Sequence, residues 1–131
     1  MTDVAVEESA TRREPATCLK VTQVLTRIGD KWAVLIIVML RDRGYRFNEL
    51  KRGIDGISQR MLTLTLRNME RDGLVTRTVT PSIPPRVDYE LTEIGRSLAG
   101  PVQILGDWAF ENLRGIAASQ AAYDAREDAG R

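Results

Sequence analysis

Histidine is absent from this sequence of 131 residues, and cysteine occurs once, as Cys18. Without histidine, a serine or cysteine nucleophile has no imidazole base, and a metal ion has no imidazole ligand. A single thiol can form neither an internal disulfide bond nor a four-thiolate zinc site. The sequence therefore excludes the common hydrolytic triads, zinc fingers and disulfide scaffolds, and it favours a reducing compartment.

Long hydrophobic runs are also missing. The longest unbroken apolar run, residues 32–40, has nine residues, whereas a membrane-spanning helix needs about 20. The N-terminus lacks the basic and then apolar pattern of a signal peptide, and we find no glycine-rich phosphate loop or cluster of metal ligands. We therefore expect a cytoplasmic protein that has no cofactor and is not an enzyme.

Charge is nearly balanced overall but unevenly distributed along the sequence, with a formal net charge of +1. Residues 41–86 carry ten basic and five acidic side chains, whereas residues 87–131 carry four basic and eight acidic ones. The basic segment is either an ordinary solvated surface or a surface that binds a polyanion. The local pattern has to decide between these two interpretations.

Apolar spacing divides the chain into three parts. Residues 1–16 are polar and predict a flexible arm. Residues 17–113 predict one folded domain. Residues 114–131 show no firm apolar stripe and predict a frayed or disordered tail.

The domain is expected to begin with helices. Thr17 is a plausible N-cap of a first amphipathic helix that stops near Gly29. Residues 32–40 are apolar on every side, which predicts a helix in the middle of the domain with Asp30 as its N-cap. A short third helix is expected to end near Arg52.

The fourth predicted helix has the clearest boundaries. Ser58 is a good N-cap, Ile57 and Leu62 occupy the two ends of a hydrophobic staple, and Gly73 supplies the left-handed residue that follows a helix. At 100° per residue the apolar and basic side chains separate onto opposite sides. The apolar side has Leu62, Thr65, Leu66 and Met69, and the basic side has Arg60, Thr63, Leu64, Arg67 and Arg71.

The alternating residues 75–80 and 86–91 predict a two-stranded hairpin, whose tip at residues 81–85 is stiffened by three prolines. Thr92 is expected to cap a last helix that ends near residue 113. This order of elements predicts a mainly α (α+β) winged helix-turn-helix domain. Its basic helix would fit the major groove of DNA, where arginine bonds guanine and glutamine bonds adenine.

Five sequence motifs occur in order between residues 18 and 113. They are Cys18 with Ile28-Gly29-Asp30-Lys31-Trp32, Phe47-Asn48-Glu49-Leu50, Ile57-Ser58-Gln59-Arg60-Met61-Leu62-Thr63, Asp72-Gly73-Leu74-Val75 and Pro84-Pro85-Arg86-Val87-Asp88-Tyr89-Glu90-Leu91-Thr92. Together they resemble the HxlR-type transcriptional regulators, which are relatives of the MarR group. The resemblance implies a winged-helix homodimer that is joined by its N- and C-terminal helices, binds palindromic operator DNA and regulates transcription.

The predicted DNA-binding residues come from the fourth helix and its neighbours. They are Arg46, Asn48, Ser58, Gln59, Arg60, Thr63, Leu64, Arg67 and Arg86. Ser58 at a helix start suits a phosphate, and Arg86 at the base of the hairpin suits the DNA backbone or the minor groove. Leu64 stands where the family usually has a polar residue. It contacts either a thymine methyl group or only a neighbouring side chain.

The last helix carries an apolar ladder that a small monomer does not easily cover. Either a partner chain or the same domain covers it. The predicted dimer interface comprises Val21, Leu25, Leu98, Val102, Leu105, Trp108 and Ala109. In such a dimer the recognition helices would lie one DNA turn apart, about 34 Å, on an inverted repeat. We expect the regulator to be a repressor.

Two questions stay open at this point. Cys18 is either a small hydrophobic residue buried at the dimer interface or a sensor of oxidants or electrophiles, because the first turn of a helix and the nearby Lys20 favour a reactive thiolate. Several HxlR-type regulators look like thiol sensors with a cysteine at this place. The whole domain is either a DNA-binding protein or a winged helix that binds only proteins. In the second case its DNA binding would be weak and insensitive to salt.

Overall fold

The computed structural model describes residues 14–130. In chain order the elements are α1 (Pro15–Ile28), α2 (Lys31–Leu40), β1 (Tyr45–Arg46), α3 (Phe47–Gly53), α4 (Gln59–Arg71), β2 (Val75–Thr80), β3 (Arg86–Leu91) and α5 (Glu93–Ala129). Helices α3 and α4 form a helix-turn-helix. Strands β2 and β3, which follow it in the chain, form a hairpin that we call the wing. This order confirms the predicted mainly α winged helix-turn-helix fold.

The core is built around α2 and α4. The largest fully buried side chains are Ile36, Ile37, Leu50, Leu62 and Leu66. Helix α2 contacts α4, α5 and β3, but Leu35 and Val38 remain 38% and 45% exposed. The prediction that residues 32–40 form a helix in the middle of the domain is confirmed, although the neighbours of α2 within the chain cover only part of its circumference.

The three strands form one antiparallel sheet in the order β1-β3-β2. Strands β2 and β3 pair from Val75 and Leu91 at the base of the wing to Thr80 and Arg86 next to the tip. The expected position of Arg86 at the base of the hairpin is therefore wrong, because Arg86 is the first residue of β3 and directly follows the tip. The structure confirms both predicted strands with the predicted bounds. It adds β1, which was not predicted because two residues are too few to show an alternating pattern.

Helix α4 ends in a Schellman motif, as the glycine at its end predicted. Gly73 has a φ of 75°, a left-handed conformation that a residue without Cβ adopts at little cost. Its N–H donates to the carbonyl of Glu70 at 3.0 Å, and the N–H of Leu74 donates to the carbonyl of Met69 at 2.9 Å. These two bonds satisfy the last carbonyls of α4.

Helix α5 begins against the end of α4. Thr92 is its N-cap, and the hydroxyl of Thr92 accepts the N–H of Gly95 at 3.1 Å while donating to the carbonyl of Gly73. The N–H of Thr92 donates to the carbonyl of Leu74 at 3.0 Å. A Cβ added to Gly95 would lie 2.1 Å from that carbonyl oxygen, so the close approach of α5 requires glycine there.

Helix α1 is attached at the same place. The guanidinium of Arg27 forms an ion pair with the carboxylate of Asp72, the C-cap residue of α4. Residues 72–74, which we call the junction, therefore contact both α1 and the start of α5.

Helix α1 begins earlier than the sequence predicted. Glu14 is the N-cap residue and Pro15 is in the first turn, whereas Thr17 was the expected cap. Proline suits this position because the first N–H groups of a helix have no partner within it. Residues 15–16 of the flexible arm predicted over residues 1–16 are therefore helical instead, and residues 1–13 of it lie outside the described part of the chain.

Helix α5 also continues past its predicted end and runs to Ala129. The prediction of a frayed or disordered tail over residues 114–131 is therefore wrong as far as residue 129. Alanine is the strongest helix former, and it is frequent in this segment. At 100° per residue, Ile116 and Tyr123 also fall on the same side of the helix as Leu105, so the apolar side continues along the helix.

Candidate nucleic-acid interface

Helix α4 turns one side to the core and the opposite side to solvent. Its buried residues are Leu62, Thr65, Leu66 and Met69, as predicted. The predicted N-cap is confirmed as well, because the hydroxyl of Ser58 accepts the N–H of Met61 at 3.0 Å. The burial of the apolar side fixes the direction in which the other side points.

The solvent side of α4 carries five of the predicted DNA-binding residues. A single shallow depression is lined by Gln59, Arg60, Thr63, Leu64 and Arg67, which we call the α4 face. Leu64 is 51% exposed, and the hydroxyl of Thr63 donates to the carbonyl of Gln59 at 2.9 Å. The two guanidinium groups, with an apolar side chain between them along the helix, can bond base edges and phosphates while contacting a methyl group.

A second basic surface lies where α3 begins beside the wing. It is a cleft of about 480 Å³ whose lining includes Arg46 and Asn48 from the start of α3 and Arg77, Arg86 and Tyr89 from the wing. We call it the wing cleft. The structure thus brings together Arg46, Asn48 and Arg86, which were predicted separately from the sequence. It adds Arg77 to them.

Arg86 forms an ion pair with a neighbour on the same strand. Its Nε donates to Oδ2 of Asp88 at 2.9 Å, and its Nη2 donates to Oδ1 of Asp88 at 3.2 Å. This hydrogen bonding raises the pKa of Arg86 above its usual value, so the guanidinium stays cationic. A phosphate bound by Arg86 would have to compete with the carboxylate of Asp88.

The first turn of α3 is fixed by a carboxylate. The backbone N–H of Arg46 donates to Oε1 of Glu49 at 2.9 Å, and Nη2 of Arg43 lies 3.4 Å from Oε2. The backbone hydrogen bond is the main reason why the pKa of Glu49 lies below its usual value, and the Arg43 side chain lowers it further. This capping bond holds Arg46 and Asn48 at the edge of the wing cleft.

Arg77 was not among the residues predicted from the sequence. It lies on β2 opposite Tyr89 of β3. Burial raises the pKa of the Tyr89 hydroxyl, while the charge and hydrogen bond of Arg77 oppose that rise. The alternation of residues 75–80 could have placed the arginine on an outward face, but only the strand register shows that it joins this cleft.

Helices α1 and α5 expose many apolar side chains. The large exposed ones are Leu19, Val21, Val24 and Leu25 on α1 and Ile94, Ile104, Leu105, Trp108, Phe110, Leu113, Ile116 and Tyr123 on α5. Four of the seven predicted interface residues belong to this set, namely Val21, Leu25, Leu105 and Trp108. A fifth, Ala109, is exposed as well.

The other two predicted interface residues pack within the chain. Val102 is 9% exposed and belongs to the core, and Leu98 is partly buried against it. Placing Val102 at a dimer interface was wrong, because the first half of α5 packs against α2. Only the exposed part of the ladder is available to a partner.

Cys18 is exposed in the structure. It is the fourth residue of α1, and its carbonyl accepts the hydroxyl of Thr22 at 2.8 Å. Burial of its sulfur would therefore require contact beyond the described residues, for example with a second chain. Both interpretations of Cys18 remain open.

Within residues 14–130, no group of three or more histidine, cysteine, aspartate or glutamate side chains is placed to hold a metal ion. In that part of the chain, no helix combines the length and apolar character that crossing a membrane requires.

Comparisons with known proteins agree on one family. Residues 27–116 match a family model described as HxlR-like helix-turn-helix. The chain is 41% identical over 91 residues to the HTH-type transcriptional regulator YtfH of Escherichia coli, which covers 70% of this chain and 72% of YtfH.

Two solved structures extend the comparison. The redox regulator HypR in its reduced form is 40% identical with a TM-score of 0.70, covering 76% of this chain and 98% of HypR. A MarR-family transcriptional regulator from Porphyromonas gingivalis W83 is 35% identical with a TM-score of 0.65, covering 70% of this chain and 90% of the other.

Proposed function

Because the chain belongs to the HxlR-like helix-turn-helix family of transcriptional regulators, we propose that it binds a specific double-stranded DNA sequence as a homodimer and represses transcription. The observation that carries the proposal is the α4 face, on which Arg60 and Arg67 are exposed opposite the buried side of the helix. Transcription takes place on the chromosome, so this function also agrees with the predicted cytoplasmic location. It involves no catalysis.

The dimensions and chemistry of α4 support contact with the major groove. A helix with its side chains is about 10–12 Å across, and the major groove is about 12 Å wide. Each arginine that forms two hydrogen bonds to guanine would contribute roughly 1–3 kcal/mol of base discrimination. Arg46, Arg77 and Arg86 in the wing cleft would add phosphate contacts, which strengthen binding without selecting the sequence.

The exposed apolar side chains of α1 and α5 support the homodimer. Patches of this kind are uncommon on monomers and usually mark an interface. A twofold dimer would place two α4 faces on one side, and the operator would then be an inverted repeat with half-sites about 34 Å apart.

The test is selection of binding sites from random duplex DNA, followed by footprinting and titration with salt. We expect an inverted repeat and, if six to ten phosphates are neutralised, an affinity that falls by about 10³- to 10⁵-fold between 50 and 200 mM salt. Arg60→Ala and Arg67→Ala should weaken binding, whereas Arg114→Ala on α5 is the matched control and should not. Weak, salt-insensitive binding without a selected sequence would instead indicate a winged helix that binds only proteins.

Thiol sensing by Cys18 is a second part of the proposal. Its exposure on α1 supports it, as does the similarity to HypR, a redox regulator. Because the chain has one cysteine, a disulfide would join the thiols of two subunits, whose Cα atoms must lie within about 7 Å, or would hold a small thiol. Two protons and two electrons would pass from the thiols to the oxidant.

Treatment with diamide, a thiol oxidant, tests thiol sensing by Cys18. We expect diamide to release the native protein from the selected operator and to leave Cys18→Ser bound. A non-reducing gel distinguishes a linked dimer from a mixed disulfide. If Cys18→Ser protein also loses DNA on treatment, Cys18 is not the sensor.

A further inference from the structure

The tip of the wing exposes one large apolar side chain. Ile83 has a relative exposure of 103%, the highest among the large exposed hydrophobic residues. An isoleucine of this kind gains free energy when it leaves water, yet no residue of the described chain covers it. The adjoining wing residues 81–85 carry no charged side chain.

The backbone around Ile83 is constrained. Pro81, Pro84 and Pro85 each have a restricted φ angle, and the hydroxyl of Ser82 donates to the carbonyl of Pro84 at 2.8 Å. Because this backbone is already restricted, burial of the tip by a ligand costs little backbone conformational entropy. The tip is therefore suited to insertion.

The two arginines of the wing lie on the strands before and after this apolar tip, and one of them, Arg86, is paired with Asp88. Both arginines line the wing cleft, as do Ser82, Pro84 and Pro85 of the tip, and the tip between the strands is neutral. The minor groove of DNA has the complementary arrangement, with phosphates along its two edges and sugars and base edges inside. Lysine and arginine are among the side chains that bind phosphates, and the tip carries neither of them.

We propose that Ile83 is an apolar wedge that enters the minor groove beside the α4 contact and partly unstacks one base step, which bends the DNA. Isoleucine and proline are among the side chains that proteins use in this way. The inference rests on the proposed DNA-binding function and adds a bend to it. Pyrimidine–purine steps unstack most easily, so the selected operators should carry TA or CA/TG under the wing.

The experiment measures the bend of a selected operator duplex by circular-permutation gel shift, using full-length protein. Ile83→Ser should keep the sequence preference but lose at least half of the bend and about tenfold in affinity, the equivalent of roughly 1.4 kcal/mol. Ile83→Leu should restore both. Val79→Ala is the matched control, because Val79 is an exposed apolar residue of β2 that stands two residues before the tip and outside it, and it should bend DNA as the native protein does.

Several results would overturn the wedge. One is a native protein that binds its operator without bending it, and another is an Ile83→Ser bend equal to that of the native complex. A third is a change of oligomeric state in Ile83→Ser alone, which would assign the tip to a protein contact. If the native protein selects no DNA sequence, the proposed function fails as well, and this result is distinct from a bound but straight operator.

Discussion

At the scale of the residue, Leu64 separates the two arginines of the α4 face. We predict that Leu64→Gln loses the preference for thymine at one operator position, because glutamine replaces a methyl contact with a hydrogen bond that favours adenine. The free energy of unfolding should change by no more than about 0.5 kcal/mol, because the side chain is exposed. Selection of sites with both proteins measures the first effect, and circular dichroism melts measure the second. Unchanged operator preference would leave Leu64 in contact only with its neighbours.

Glu49 provides a pH dependence at the same scale. Its pKa in the folded protein lies below the usual value of 4.5, so the charged carboxylate stabilises the fold above that pH. This contribution is lost as the pH falls through the lowered pKa. We predict that native protein has a higher Tm than Glu49→Gln at pH 7 and that the difference shrinks below pH 4.5. A difference that stays constant from pH 7 to 3 would contradict this role.

At the scale of the element, the end of α4 depends on its left-handed glycine. We predict that Gly73→Ala lowers the free energy of unfolding by about 1 kcal/mol, because an L side chain at positive φ is strained. Gly115→Ala is the matched control, since a Cβ there meets nothing within 4 Å and alanine favours a helix interior. Chemical denaturation of both variants measures the difference. Equal stability of the two variants would mean that the motif contributes little.

The sequence predicted those elements that have capping residues at their ends or a strict alternation of side chains. Ser58 and Gly73 gave the bounds of α4, and strict alternation gave β2 and β3. Strand β1 was missed because its two residues form a strand only through pairing with β3. The continuation of α5 was missed because its many alanines favour a helix without marking a face, and Ile116 and Tyr123 alone are too few to show an apolar stripe.

The residues of the candidate site also differ in whether the sequence could predict their positions. The α4 face follows from helix periodicity alone, so its five residues were predictable. The position of Arg77 depends on strand register, and the burial of Val102 depends on how α5 crosses α2. Neither relation can be read from one segment of sequence.

At the scale of the whole molecule, the exposed side of α5 should control assembly. We predict that Leu105→Lys gives a monomer in sedimentation experiments and binds the operator at least tenfold more weakly, because a charge would be placed where the partner helix is expected. Leu105 is 66% exposed in the single chain, so the variant should still fold. Arg114→Gln, on the opposite side of α5, should remain dimeric. A dimeric Leu105→Lys protein would place the interface elsewhere.

The junction links the assembly of the dimer to the orientation of α4. Arg27 and Thr92 attach both α1 and α5 to the last turn of α4, so a different crossing angle of two subunits would tilt α4 without unfolding it. Helix α4 has 13 residues and is therefore about 20 Å long. A tilt of roughly 10° at the junction would move its far end by about 3 Å, close to the 3.4 Å rise of one base pair. A small rotation between subunits would thus be enough to take both helices out of register with their half-sites.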